Sequence, residues 1–179
     1  RQLRAKGATV ITQGRNAERC AATRADGFEV IQADLSTRAG VDSLVTAVAG
    51  RPIDLLINNA GALVDHDFRV AAPDPGAADA TIFLNLDAPI HLICALMPTL
   101  QARPAAAIVN VTSGLAVAPS ARTPVYCATK AAMHSLTLSL RWQWRNTGVS
   151  VFEVAPPSVV TELGHDRRTD KSQSHGGIP

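Results

Sequence analysis

Tyr126 and Lys130 stand four residues apart in Tyr126-Cys127-Ala128-Thr129-Lys130, a spacing that places both on one face of a helix. An ammonium beside a phenol favours the phenolate and lowers the tyrosine pKa toward working pH, as general acid/base chemistry requires. Ser113, in Thr112-Ser113-Gly114, precedes Tyr126 by thirteen positions and offers a hydroxyl to hold a substrate oxygen while Tyr126 exchanges its proton. A third fragment, Asn58-Asn59-Ala60-Gly61, combines amides with small residues that permit close backbone approach to a ligand. Each fragment has a plainer reading. A Tyr and a Lys four apart occur by chance, a Ser after a strand is often a cap, and Asn-Asn-Ala-Gly can be a turn. Their joint placement at strand ends and a helix start outweighs these.

The elements that must position them alternate along the chain. Thr9–Thr12, Phe28–Ala33, Ile53–Ile57, Ala106–Thr112 and Val149–Val154 read as short strands rich in β-branched residues. Ile53–Ile57 is nearly all apolar, as expected of a strand covered on both faces. Ser36 is the expected N-cap of a helix running to Val48, with Val41, Leu44, Val45 and Val48 on one face. A long helix carries Ile82, Leu86, Ile90 and Ile93 at helical spacing, and Thr123-Pro124 opens another that runs to about Asn146. Strand–helix alternation of this length predicts an α/β fold with a doubly wound parallel sheet, right-handed crossovers and helices on both faces. Ligands of such sheets bind beyond the carboxyl ends of the strands, where the unusual residues fall.

Asn58-Asn59-Ala60-Gly61, Asn85, Ser113, Tyr126 and Lys130 together resemble the signature of short-chain dehydrogenases/reductases. More narrowly, Ser113-Gly114-Leu115-Ala116, the Tyr126–Lys130 segment and Phe152-Glu153-Val154-Ala155-Pro156-Pro157 resemble bacterial DltE-type oxidoreductases. The resemblance implies a Rossmann-like fold and interconversion of a carbonyl and an alcohol by hydride transfer with a nicotinamide cofactor. It implies Tyr126 as proton donor or acceptor, Ser113 orienting the substrate oxygen, and Lys130 binding the nicotinamide ribose and tuning Tyr126. Asn85 would hold a water that relays protons to Lys130; the plainer reading is a polar residue in a helix kinked by Pro89. Asp34, with Leu35 beside it, would meet the adenine; Asn58, Ala60 and Gly61 would line the cofactor cleft. Pro156, Val159 and Thr161 would meet the nicotinamide carboxamide, in a loop where Pro157 replaces the glycine of many relatives.

Cofactor choice follows from charge. NAD enzymes place an acid near the end of the second strand to accept from the ribose hydroxyls. Thr12-Gln13-Gly14-Arg15-Asn16 offers no acid and one guanidinium, which suits a 2′-phosphate, so NADP(H) is expected over NAD(H). Arg15 as an exposed turn residue is the alternative.

Composition bounds the rest. The 179 residues suit one domain, 1–179, and the net charge of +2 with scattered Lys and Arg gives no nucleic-acid footprint. Cys20, Cys94 and Cys127 show neither metal-ligand nor disulfide spacing, and the five histidines are not spaced as a metal site. No metal is expected, and a reducing, cytoplasmic setting fits. The most apolar stretch, Ile82–Met97, is interrupted by Asn85, Asp87, Pro89 and His91, so no membrane span is expected. Trp142 and Trp144 read as helix packing or a subunit contact, and the resemblance implies a homo-oligomer through the helix bearing Tyr126. Family members open with a strand and a Thr-Gly-x-x-x-Gly-x-Gly phosphate loop, which nothing in residues 1–179 matches. Gln2–Lys6 reads as the tail of the first helix, so a strand and loop of roughly two dozen residues are expected upstream. Without that central strand the first two strands have no partner joining them to the third. The rival reading is a non-catalytic or nucleotide-sensing relative that keeps these residues without productive cofactor binding.

Overall fold

The computed structural model describes residues 1–70, 72 and 74–157. Val159 and Thr161 therefore lie outside the described residues. The chain divides into two compact units, Arg1–Gly50 and Arg51–Pro179.

The first unit holds helix α1 (Gln2–Ala5), strand β1 (Ile11–Gly14), helix α2 (Ala17–Ala25), strand β2 (Glu29–Gln32) and helix α3 (Arg38–Ala47). β1 and β2 pair in parallel, Ile11 opposite Glu29 through Gly14 opposite Gln32. Asn16 caps α2, its side chain accepting from the Arg19 amide at 2.8 Å. α3 is capped by Thr37, whose hydroxyl accepts from the Gly40 amide at 3.0 Å, and not by Ser36. Ser36 is drawn one position back because its amide and hydroxyl both donate to Asp34 Oδ1, at 3.0 and 2.7 Å. Cys20, Leu35, Val41 and Val48 are buried in this unit.

The second unit holds strand β3 (Leu55–Asn58), helix α4 (Pro75–Ile82), a π-helical turn Phe83–Asp87, helix α5 (Ala88–Gln101) and strand β4 (Ala106–Val111). A 3₁₀ turn Gly114–Ala116, helix α6 (Pro124–Gln143) and strand β5 (Val149–Val154) complete its described elements. The strands run parallel in the order β3-β4-β5, and among the described residues no ladder joins β1-β2 to them. The parallel pairing is that of the expected α/β fold, and the first two strands lack a ladder to the third, as strand order implies when the central strand is missing. α5 packs on β3 and β4 and α6 on β5, over the face bearing Ile108, Asn110, Val149 and Val151. Leu55, Ile57, Phe152 and Val154 alternate to the other face and are exposed, so β3 is not covered on both faces as its apolar run suggests.

The long central helix differs from the sequence reading in phase. Its buried positions are Thr81, Asn85, Ala88, Pro89, Leu92, Ile93, Leu96 and Leu100, while Ile82 is exposed. Pro89 has no N–H to give to the carbonyl four residues back, and the ladder shifts here: the Ala88 amide donates to Phe83 five residues back. The turn rotates the stripe and sets Asn85 inward. By length and composition the continuous run Pro75–Gln101 is apolar enough to cross a bilayer, contrary to the expectation from its polar interruptions. In this fold it packs on the sheet, with Leu96 and Leu100 in the core.

Candidate active site

The polar residues of the second unit gather at the carboxyl ends of β3, β4 and β5. On β3 and β4 the even-numbered positions face the helices, so Asn58, Asn110 and Thr112 share that side. Asn58 Nδ2 donates to Asn110 Oδ1 at 2.9 Å, and Asn110 Nδ2 donates to Thr137 Oγ1 at 2.8 Å. This buried amide ladder ties two strand ends to α6. Asn58 Oδ1 is buried with no hydrogen-bond partner among the described residues, an acceptor left open in the segment where the sequence places a cofactor.

α6 brings Tyr126 and Lys130 to the same place. Thr123-Pro124 begins the helix with Pro in its first turn, as expected, and Tyr126 and Lys130 lie on its buried face, 4% and 5% exposed. The Ser113 hydroxyl is close enough to the Tyr126 phenol to pull its pKa down. Ser113 Oγ accepts from the Leu115 amide at 3.1 Å, which leaves its own proton available to donate. Lys130 Nζ donates to the Val111 carbonyl at 2.9 Å and sits over the Tyr126 ring, 5.6 Å from its centre.

The electrostatics correct one expectation. Burial pushes the Tyr126 phenol above its ordinary value, and the Ser113 hydroxyl pulls against it. The ammonium that was to lower it faces the ring and a carbonyl instead. Burial also pushes Lys130 itself down, to about 8. The pair as it stands is a protonated phenol beside a lysine that sheds its proton easily.

Asn85, delivered by the π turn, is 1% exposed. Its Oδ1 accepts from the Ala62 amide at 2.8 Å, and its Nδ2 donates to the Ala62 carbonyl at 2.9 Å and to Thr129 Oγ1 at 3.1 Å. Both amide protons are committed, so the side chain clamps the Ala62 backbone to Thr129 on α6. A Cβ on Gly61 would meet Asn85 Oδ1 at 3.2 Å and Lys130 Nζ at 3.6 Å, so a bare backbone lets the loop close over the lysine. Gly61 thus stands beside Lys130 and Asn85, with Ala60 preceding it in the chain, and Pro156 is tied to the Ser113 segment through its carbonyl, which accepts from the Gly114 amide at 3.1 Å.

In the first unit, Arg15 is exposed just after β1, and Asp34 lies two residues past β2. The Asp34 carboxylate is held below its ordinary value by the Ser36 amide and hydroxyl, with a smaller contribution from Arg15. Leu35 is buried, its side chain in the core.

Sequence reasoning passed over Thr129, Asn110, Glu153 and His134. Thr129 joins Asn85 to the Tyr126 carbonyl, to which its hydroxyl donates at 2.7 Å. The legible signal was polarity out of place: Asn110 in an apolar strand, and Glu153 in Val151-Phe152-Glu153-Val154. Trp142, read as packing or a subunit contact, is 69% exposed under the Arg145 guanidinium. Among the described residues no cluster of three or more His, Cys, Asp or Glu could hold a metal.

The short chain dehydrogenase family matches residues 1–172. An uncharacterized oxidoreductase of Bacillus subtilis, DltE, is 40% identical over 176 residues, which cover 96% of this chain and 70% of that protein. Among solved structures, a short-chain dehydrogenase from Sphingobium yanoikuyae in complex with NADPH superposes with a TM-score of 0.81 at 28% identity, covering 90% of this chain and 66% of that one. Serine dehydrogenase from Escherichia coli gives 0.78 at 27% identity, covering 89% and 76%. By sequence and by fold, the chain belongs to the short-chain dehydrogenases, and within them is DltE-like.

Proposed function

We propose that this protein is an NADP(H)-dependent oxidoreductase that interconverts a small-molecule carbonyl and its alcohol, with Tyr126 as the acid/base. The observation that carries the reading is a buried Tyr126 phenol within the influence of the Ser113 hydroxyl, with Lys130 over its ring. A nicotinamide dinucleotide, when bound, supplies or accepts the hydride. The residues present suit that group: an open buried acceptor on Asn58, a bare backbone at Gly61 and a buried ammonium at Lys130.

In the reducing direction Tyr126, held protonated by burial, gives its proton to the forming alkoxide, while Ser113 orients the same oxygen by hydrogen bond. Lys130 binds the nicotinamide ribose and, with a pKa of about 8, returns a proton toward Tyr126 near neutral pH. Asn85 holds the Gly61–Ala62 backbone in place to receive the cofactor, with Asn58 and Ala60 lining the cleft and Pro156, Val159 and Thr161 meeting the carboxamide. Arg15 reads the 2′-phosphate and sets NADP above NAD; Asp34 and Leu35 meet the adenine. Three free thiols among the described residues suit a cytoplasmic protein, and we assign a homo-oligomer paired through α6.

The test is titration with NADPH and NADH by nucleotide fluorescence, followed by turnover of a panel of aldehydes and ketones. NADPH is expected to bind the more tightly, and Arg15→Gln to remove the difference. Tyr126→Phe is expected to cut kcat by about 100-fold or more while nucleotide binding persists. Equal turnover by Tyr126→Phe sinks the acid/base assignment, and binding without turnover of any carbonyl favours the nucleotide-sensing reading.

A further inference from the structure

Glu153 is the one carboxylate on the helix-facing side of β5, and its side chain is only 12% exposed. A buried carboxylate is costly unless its oxygens are satisfied, and here they are. Oε1 accepts from Thr112 Oγ1 at 2.6 Å, and His134 Nδ1 lies 3.0 Å from Oε1 and 2.9 Å from Oε2. Arg141, whose Nε donates to the Val151 carbonyl at 3.0 Å, adds positive charge from the same helix.

The partners are what make this arrangement informative. Thr112 immediately precedes Ser113. His134 lies on α6, four residues beyond Lys130 and on the same face. One carboxylate thus joins the end of β4, β5 and the helix that carries Tyr126. Thr112 and Gly114 bracket Ser113 with backbone bonds to Val154 and Pro156, at 2.8 and 3.1 Å. Those bonds fix the height of Ser113 along the strand. The bond from Thr112 to Glu153 fixes it against α6.

We propose that Glu153 is a positioning residue for the Ser113–Tyr126 pair: its carboxylate pins Thr112 to His134 and so sets the distance between the serine hydroxyl and the phenol. The functional meaning rests on the oxidoreductase reading above, but the geometric content does not need it.

The chain contains a single tyrosine, so ¹³Cζ-labelled tyrosine gives one resonance that reports the Tyr126 hydroxyl alone. Ser113→Ala removes the hydroxyl that lowers the Tyr126 pKa, so it is expected to move this resonance at neutral pH and to raise the phenol pKa further. Thr112→Val, which keeps the side-chain shape but removes the hydroxyl, is expected to move the resonance the same way. The double variant Thr112→Val/Ser113→Ala is expected to match Ser113→Ala alone, and Thr112→Ser to restore the wild-type position. If Thr112→Val does not fold, Glu153→Gln takes its place in the same comparison. A wild-type resonance in Thr112→Val overturns the proposal. So does a double variant displaced beyond Ser113→Ala, because that reports general loosening and not positioning. Absence of carbonyl turnover in the wild-type protein refutes the oxidoreductase reading and leaves the resonance comparison standing.

Discussion

Lys130 is the residue whose electrostatics reach furthest. Burial at 5% exposure takes its ammonium from 10.5 to about 8. That difference corresponds to about 3 kcal/mol of extra cost for charging it in the folded state. The sign follows by linkage. Below pH 8 both folded and unfolded chains carry the proton and the full cost is present. Between about 8 and 10.5 the unfolded chain keeps a proton that the folded one has released, so stability rises with pH. Lys130→Met replaces the ammonium with an apolar side chain of similar length. It forgoes the bond to the Val111 carbonyl, a loss of about 1 kcal/mol, and is expected to stabilise the fold by about 2 kcal/mol at pH 7. The chain has three lysines, Lys6, Lys130 and Lys171, so ¹³C-methylated lysine resonances followed against pH separate them. One is expected to titrate near 8 and to vanish in the Met variant. No lysine resonance titrating near 8, or a Met variant less stable than wild type at pH 7, refutes the reasoning.

Asn85→Ala strips the Ala62 amide and carbonyl of their partners, at about 1–3 kcal/mol. Hydrogen exchange at the Ala62 amide is expected to speed up while β4 amides keep their protection. Gly40→Ala places a Cβ 1.9 Å from the Asp34 carbonyl oxygen, so the start of α3 must move; a loss of about 1–3 kcal/mol is expected in thermal unfolding. Glu153 is held below its ordinary 4.5 by Thr112 and His134, which overcome the opposing effect of burial. Its contribution is present above that value and lost as pH falls through the lower folded value. Wild type is therefore expected to lose stability on acidification below about pH 4.5 more steeply than Glu153→Gln, read by circular dichroism against pH.

The chemistry of this protein is written locally, and that part is legible in the sequence. Residues four apart share a helix face whatever surrounds them, so Tyr126 and Lys130 could be paired before any fold was known. Strand alternation with helical stretches carried the parallel α/β class, and the gap between the first two strands and the third followed from strand order. Local capping was less certain: Ser36 and Thr37 are adjacent hydroxyls, and only the competing Asp34 carboxylate decides between them. What the tertiary structure alone decided is where polar groups from distant segments meet. Asn85 is committed to Ala62 because a π turn, set off by a missing amide at Pro89, rotates it inward. Glu153 is bound to Thr112 and His134 because β4, β5 and α6 converge there, 41 and 19 residues away along the chain. The direction of the Tyr126 shift belongs to the same class. Spacing places a lysine near a phenol, but burial, which exists only once the fold has closed, determines which of the two keeps its proton.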